Sequence, residues 1–170
     1  MKIRELLFSI GNESSQLLNR LQSPMLLLIR VYWGWQFAQT GWGKLHNLDR
    51  VAAFFATLNI PAPHLNALVV ALVEFIGGIL LTLGLGSRAI SLALFVNMSV
   101  AFVTADREAL GMILSDPGKF YGADPYTFWF AALLILIFES GELAVDQVLK
   151  KLLAQSKPLN DKQQENGFIP

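Results

Sequence analysis

The chain has 170 residues, 54% of them hydrophobic and only 15% charged, with a mean hydropathy of +0.47. Soluble domains carry about 25% charged residues, so this composition points to a membrane protein. Thirteen basic and thirteen acidic residues cancel, which leaves no basic excess for nucleic acid, and the absence of cysteine excludes disulfides, thiol redox chemistry and thiolate metal sites.

Residues 1–10 carry Lys2, Arg4 and Glu5 in a short apolar stretch, and Gly11 and Asn12 follow at once. That is not the unbroken apolar core of a secretory signal, so the N-terminus is expected to be retained. Residues 1–21 place Ile3, Leu6, Leu7, Ile10, Leu17, Leu18 and Leu21 near helical spacing, the pattern of a helix lying on a membrane surface.

Four segments are long and apolar enough to span, at about 20 residues each. They are residues 24–42, opened by Pro24; 64–85, closed by Gly84 and Gly86; 87–105; and 125–143. Between the first two, residues 46–59 align Leu48, Val51, Phe54, Phe55 and Leu58 on one face, a short surface or re-entrant helix. Residues 106–124 form a long outer loop. Residues 143–153 continue the last span as an amphipathic tail, and 156–170 are polar.

The expected fold is therefore all-α: an integral membrane four-helix bundle with amphipathic helices at both ends and an interfacial helix in the first outer loop. Residues 1–23 form the surface helix, 24–149 the four-span domain and 150–170 a polar cytoplasmic tail. Lys2, Arg4, Arg20, Arg88, Lys150, Lys151, Lys157 and Lys162 collect on one side, against Lys44, Arg50, Arg107 and Lys119 on the other. The bias places both termini of the multi-pass protein in the cytoplasm.

Three polar side chains lie within the apolar segments: Arg30, Glu74 and Asn97. Ionisable groups at bilayer depth mark candidate functional sites. Arg30, Gly34, Phe37, Gly41 and Lys44 share one helical stripe; Ala67, Ala71, Glu74 and Gly78 share a second; Ala93, Asn97, Val100 and Thr104 a third. Small residues on such stripes let membrane helices approach closely. Counted from the cytoplasmic ends of their spans, Arg30 lies roughly 9 Å deep and Glu74 and Asn97 roughly 15 Å. An Arg30–Glu74 pair with Asn97 in hydrogen-bond reach is expected. Such a pair either locks helices together or anchors a polar headgroup such as a quinone carbonyl.

A second set, Trp42, Lys44, His46 and Asp106, lies near the outer surface, with Tyr32, Trp33 and Trp35 deeper on the same helix. It reads as interfacial anchoring or as the mouth of a pocket beneath the 46–59 helix. Candidate ligand-binding residues are thus Arg30, Glu74, Asn97, Trp33, Phe37, Lys44, His46 and Asp106. No catalytic residue is identified. His46 and His64 are not at matched depth for haem, and no convergent metal-ligand set is visible. No phosphate-binding loop, nucleophile elbow or dinucleotide fingerprint occurs. Glu139 and Glu142 sit where the last span meets water.

Several short stretches in order carry a family likeness: Arg30-Val31-Tyr32-Trp33-Gly34-Trp35 leading to Gly41-Trp42-Gly43-Lys44-Leu45, then Asn59-Ile60-Pro61-Ala62-Pro63, then Glu74-Phe75-Ile76-Gly77-Gly78 with Gly84-Leu85-Gly86-Ser87-Arg88, and a glycine-containing turn ending in Asp146. Over about residues 25–149 the chain resembles the DoxX family of small four-span bacterial membrane proteins. The family closes its last span with Gly-Pro-Gly and a Ser-Leu-Asp run, where this chain has Glu139-Ser140-Gly141 and Ala144-Val145-Asp146.

The resemblance implies a cytoplasmic-membrane protein. Some members serve as subunits of a thiosulfate:quinone oxidoreductase, and others accompany redox or detoxification proteins. Sulfur chemistry of that kind would need another subunit, since this chain has no cysteine. The expected role is a membrane subunit or accessory of a redox complex with a quinone- or lipid-like pocket. The alternative is a non-catalytic assembly protein with a structural polar core. A solute or proton pathway ranks last, because polar residues thin out across the fourth span. Expected partners are the lipid bilayer and a soluble or membrane redox subunit, with a homodimer also compatible; quinone is the one cofactor class considered.

Overall fold

The structure, a computed structural model, describes residues 2–138 and 144–155, with side chains described from residue 21 except at 148, 150, 151, 154 and 155. Among the described residues the regular structure is all helical, in the order α1 (Lys2–His46), α2 (Leu48–Thr57), α3 (Pro63–Leu83), α4 (Ser87–Thr104), α5 (Arg107–Gly111), α6 (Pro117–Tyr121), α7 (Pro125–Phe138) and α8 (Val145–Gln155). The expected elements at 46–59, 64–85 and 87–105 appear as α2, α3 and α4. The 106–124 loop contains two short helices. The fourth segment is helical as far as Phe138, and its remainder, with Glu139 and Glu142, lies outside the described residues, as does the 156–170 tail.

One boundary differs. Pro24 was expected to open a helix, yet α1 runs through it for 45 residues. Proline lacks only one N–H donor, so a helix with enough contact on either side can carry it at a cost of about 3 kcal/mol.

α1 packs on α3 and α7, and α4 packs on α3 and α7, so these four helices close a ring; α2 lies against α3. The α1–α3 contact is the closest. A Cβ at Gly34 would meet Thr82 Oγ1 at 2.5 Å and Gly78 O at 2.9 Å; one at Gly78 would collide with the Ala38 backbone N; one at Gly41 with the Phe75 backbone N. The pairs 34–82, 38–78 and 41–75 run in opposite directions, so the two helices are antiparallel and meet backbone to backbone. Close approach of this kind is how membrane helices gain packing without a hydrophobic drive.

The interior is built around Phe37, Leu81, Leu94, Met98, Ala132 and Ile135. The exterior is strongly apolar: Leu65, Leu68, Val69, Leu72, Ile76, Ile79 and Leu83 of α3 are exposed, as are Leu92, Val96, Val100 and Val103 of α4. α3 and α4 are both long and apolar enough to cross a membrane, and α7 is a shorter apolar helix. An apolar outside with glycine, serine and charge inside is the reverse of a water-soluble domain.

The expected inward stripes hold for α1 and α3, where Arg30, Gly34, Phe37 and Gly41, and Ala67, Ala71, Glu74 and Gly78, are buried. On α4 the buried face is instead Ser87, Ser91, Leu94, Met98 and Phe102, while Ala93 and Val100 are exposed. Asn97 sits at the edge of that face, half-buried.

Candidate functional site

Two polar clusters stand at opposite ends of the α1–α3 contact. The first is built on Glu74, which is 1% exposed. Its Oε1 accepts from Lys44 Nζ at 2.6 Å and from Asn97 Nδ2 at 3.0 Å. Three helices meet there through charge and amide. Glu74 Oε2 is also buried and has no hydrogen-bond partner among the described residues. Lys44, near the end of α1, reaches inward while keeping a third of its side chain exposed.

These three residues line a cavity of about 940 Å³. Arg50, Val51, Phe54 and Phe55 of α2 line it with Leu58 just beyond, together with Val70, Phe128, Asp106 and Asp124. Its volume lies within the roughly 300–1,000 Å³ of small-molecule sites, and its apolar side chains are joined by the charged Lys44, Arg50, Glu74, Asp106 and Asp124. Burial raises the pKa of Asp106 above the ordinary carboxylate value, and the nearby negative charge of Asp124 adds to the rise.

The second cluster is built on Arg30, which is 2% exposed. Its guanidinium lies against Gly84, where any Cβ would collide with Nη1. Gly84 closes α3 at φ 74°, with the Leu85 N–H bonded back to Leu80 O at 2.9 Å, a closure that favours glycine. Asp146 faces Arg30 electrostatically. Its Oδ1 accepts from Gly86 N at 3.0 Å and its Oδ2 from Ser87 N at 3.2 Å, while its own N–H donates to Gly84 O at 3.1 Å. A carboxylate there satisfies the free N–H groups at the start of α4 and complements the helix dipole.

The expected Arg30–Glu74 pair is therefore not formed. Arg30 stands level with Gly84, about ten residues or 15 Å along α3 from Glu74. The carboxylate's cationic partner is Lys44, and Asn97 is in reach as expected. Of the other candidates, Asp106 lines the cavity. Phe37 is core, packed edge-on to Phe128 at 4.8 Å, and Trp33 meets the same ring at 5.1 Å from further along α1. His46 is exposed, with its Nδ1 3.0 Å from Trp42 O and its ring 4.2 Å from the Trp42 ring. Thr40, Phe55, Asn66, Tyr121, Asp124 and Phe128 also line the cavity and were not among the ligand-binding candidates. The apolar face of α2 was the available signal for Phe55; the rest come from loops and helix ends whose positions only the fold sets.

Residues 25–107 match the family model described as DoxX. This segment is a DoxX domain. DoxX proteins are membrane-associated, and with its apolar exterior and two long apolar helices this chain is a membrane protein. It is similar to the protein named "Putative oxidoreductase CatD" of Bacillus subtilis (strain 168), at 30% identity over 83 residues, which are 49% of this chain and 60% of that relative. The match thus spans less than two thirds of the relative's length. No solved structure matches the chain. The DoxX segment contains Lys44, Glu74, Asn97 and Asp106, and ends before the Asp146 contact.

Proposed function

We propose that this protein is a multi-pass subunit of a redox system in the bacterial cytoplasmic membrane, and that its cavity receives a quinone-like headgroup. On this reading α1 beyond Pro24, α3, α4 and α7 are the four spans, with both termini on the cytoplasmic side. The observation that carries this reading is Glu74: a buried carboxylate lining the cavity, beside an ammonium and an amide. Ionisable groups held at this depth are costly and accompany function in membrane proteins. Lys44 and Asn97 offer donors to a headgroup oxygen, and Phe55 and Phe128 offer flat apolar surface to a ring. The oxidoreductase name of the Bacillus relative supports the redox setting.

The test is titration of the purified protein in mild detergent with a short-tailed benzoquinone and its hydroquinone, followed by tryptophan fluorescence. Saturable binding of at least one is expected, weakened about tenfold or more by Ala101→Phe, which fills the cavity. Failure of both to bind saturably overturns the reading. The Lys44–Glu74 link between α1 and α3 favours a second reading, an assembly protein whose polar core holds helices together. Under that reading Glu74→Ala lowers thermal stability and leaves membrane electron transfer unchanged.

A further inference from the structure

We infer that the headgroup this cavity takes is a hydroxyl donor, a hydroquinone or phenol, in preference to an oxidised quinone; the inference rests on the pocket reading above. Glu74 is paired with Lys44, so it is a carboxylate and accepts at both oxygens. Oε1 holds two donors already. Oε2 is buried with no hydrogen-bond partner among the described residues. A buried acceptor left unmet is costly, and a ligand that meets it gains that cost back on binding.

A quinone carbonyl has no proton to give. It takes hydrogen bonds from Lys44 or Asn97 and leaves Oε2 unmet. Oε2 is closed off with the side chains as they stand, so a shift of its neighbours admits the hydroxyl, which then donates to Oε2 and still accepts from the ammonium or the amide. An alkylammonium headgroup also carries donors, but at Oε2 it would sit beside the Lys44 ammonium, while Arg50 further along the cavity is offset by Asp106 and Asp124. At that oxygen the like charge of Lys44 repels, so a neutral hydroxyl is the better donor there. Lys44 is the movable neighbour on the open side, a third exposed on a flexible stem. The cavity of about 940 Å³ holds an aromatic ring and the start of an apolar tail.

The test uses the whole protein in detergent, under anaerobic reducing conditions for the hydroquinone, and three probes with the same one-isoprene tail: the hydroquinone, its dimethyl ether and the benzoquinone. The hydroquinone is expected to bind about tenfold or more tightly than either of the others, the margin of one hydrogen bond to a charged acceptor. Glu74→Gln replaces an acceptor by a group that also donates, so the preference moves towards the quinone. If that variant does not fold, the ether comparison in the unmodified protein still decides. Ether or quinone binding as tight as hydroquinone binding overturns this inference and leaves the pocket standing. Binding of none of the three overturns the pocket as well.

Discussion

Lys44 Nζ and Glu74 Oε1 lie 2.6 Å apart although 30 residues separate them in the chain. The contact ties the end of α1 to the middle of α3, at the point where α4 adds Asn97. One partner is buried and the other a third exposed, so the two are not equivalent in energy.

That inequality sets an order of effects. Lys44→Met orphans a buried carboxylate and is expected to cost about 3 kcal/mol, the low end for breaking a buried pair because Lys44 is partly solvated already. Glu74→Gln leaves a cation that water can reach, and is expected to cost about 1 kcal/mol. The double variant should be more stable than Lys44→Met alone. Thermal unfolding in detergent checks the cycle, and additive single effects would show that the two side chains do not interact.

The α1–α3 seam is the least forgiving surface in the molecule. A Cβ at Gly78 would strike the Ala38 backbone N and lie 2.9 Å from the Ala38 Cα, and no backbone atom can rotate away. Gly78→Val is expected to destabilise by about 3 kcal/mol, or to prevent folding, while Gly43→Ala, with nothing near its Cβ, leaves the melting temperature unchanged or slightly raised. Comparison of the two melting curves is the check.

The bounds of α3 and α4 and the inward stripes of α1 and α3 were legible because glycine stops and small-residue spacing act locally. The partner of Glu74 was not. Depth was counted from Pro24 as the helix start, but α1 continues through Pro24, and Arg30 is level with the glycine that ends α3. The starting point was off by about six residues, a shift of roughly 9 Å, enough to exchange one cation for another. Lys44 lay on the correct stripe, yet its position near a helix end equally fits interfacial anchoring. On α4 the periodicity was weak because apolar residues surround the helix, so the buried serine face was missed.

Asp146 is expected to matter for stability rather than for binding. It fills two N–H groups at the start of α4 and faces Arg30. Asp146→Ala should cost about 2 kcal/mol, as the loss of a helix cap with charge, and Asp146→Asn about half of that, because one acceptor remains. Ligand affinity at the far cluster should be unchanged in Asp146→Asn. Unfolding and binding curves recorded on the same sample separate the two effects.

The pH response at the end of α4 follows from Asp106. Its folded-state pKa is raised above the ordinary 3.8, chiefly by burial and then by Asp124. The folded protein therefore holds a proton at pH values where the unfolded chain has released it. Stability falls as pH rises through the raised value, and recovers as pH falls, the recovery being complete once pH drops below the unfolded value near 3.8. Asp106→Asn removes the charge and keeps the shape. It is expected to be more stable than the unmodified protein at neutral pH and to lose this part of the acid-side gain. Unfolding in detergent at a series of pH values, with Asp124→Asn showing a smaller change in the same direction, is the measurement. A steeper loss of stability at high pH in Asp106→Asn than in the unmodified protein would contradict the burial of this carboxyl at the cavity mouth.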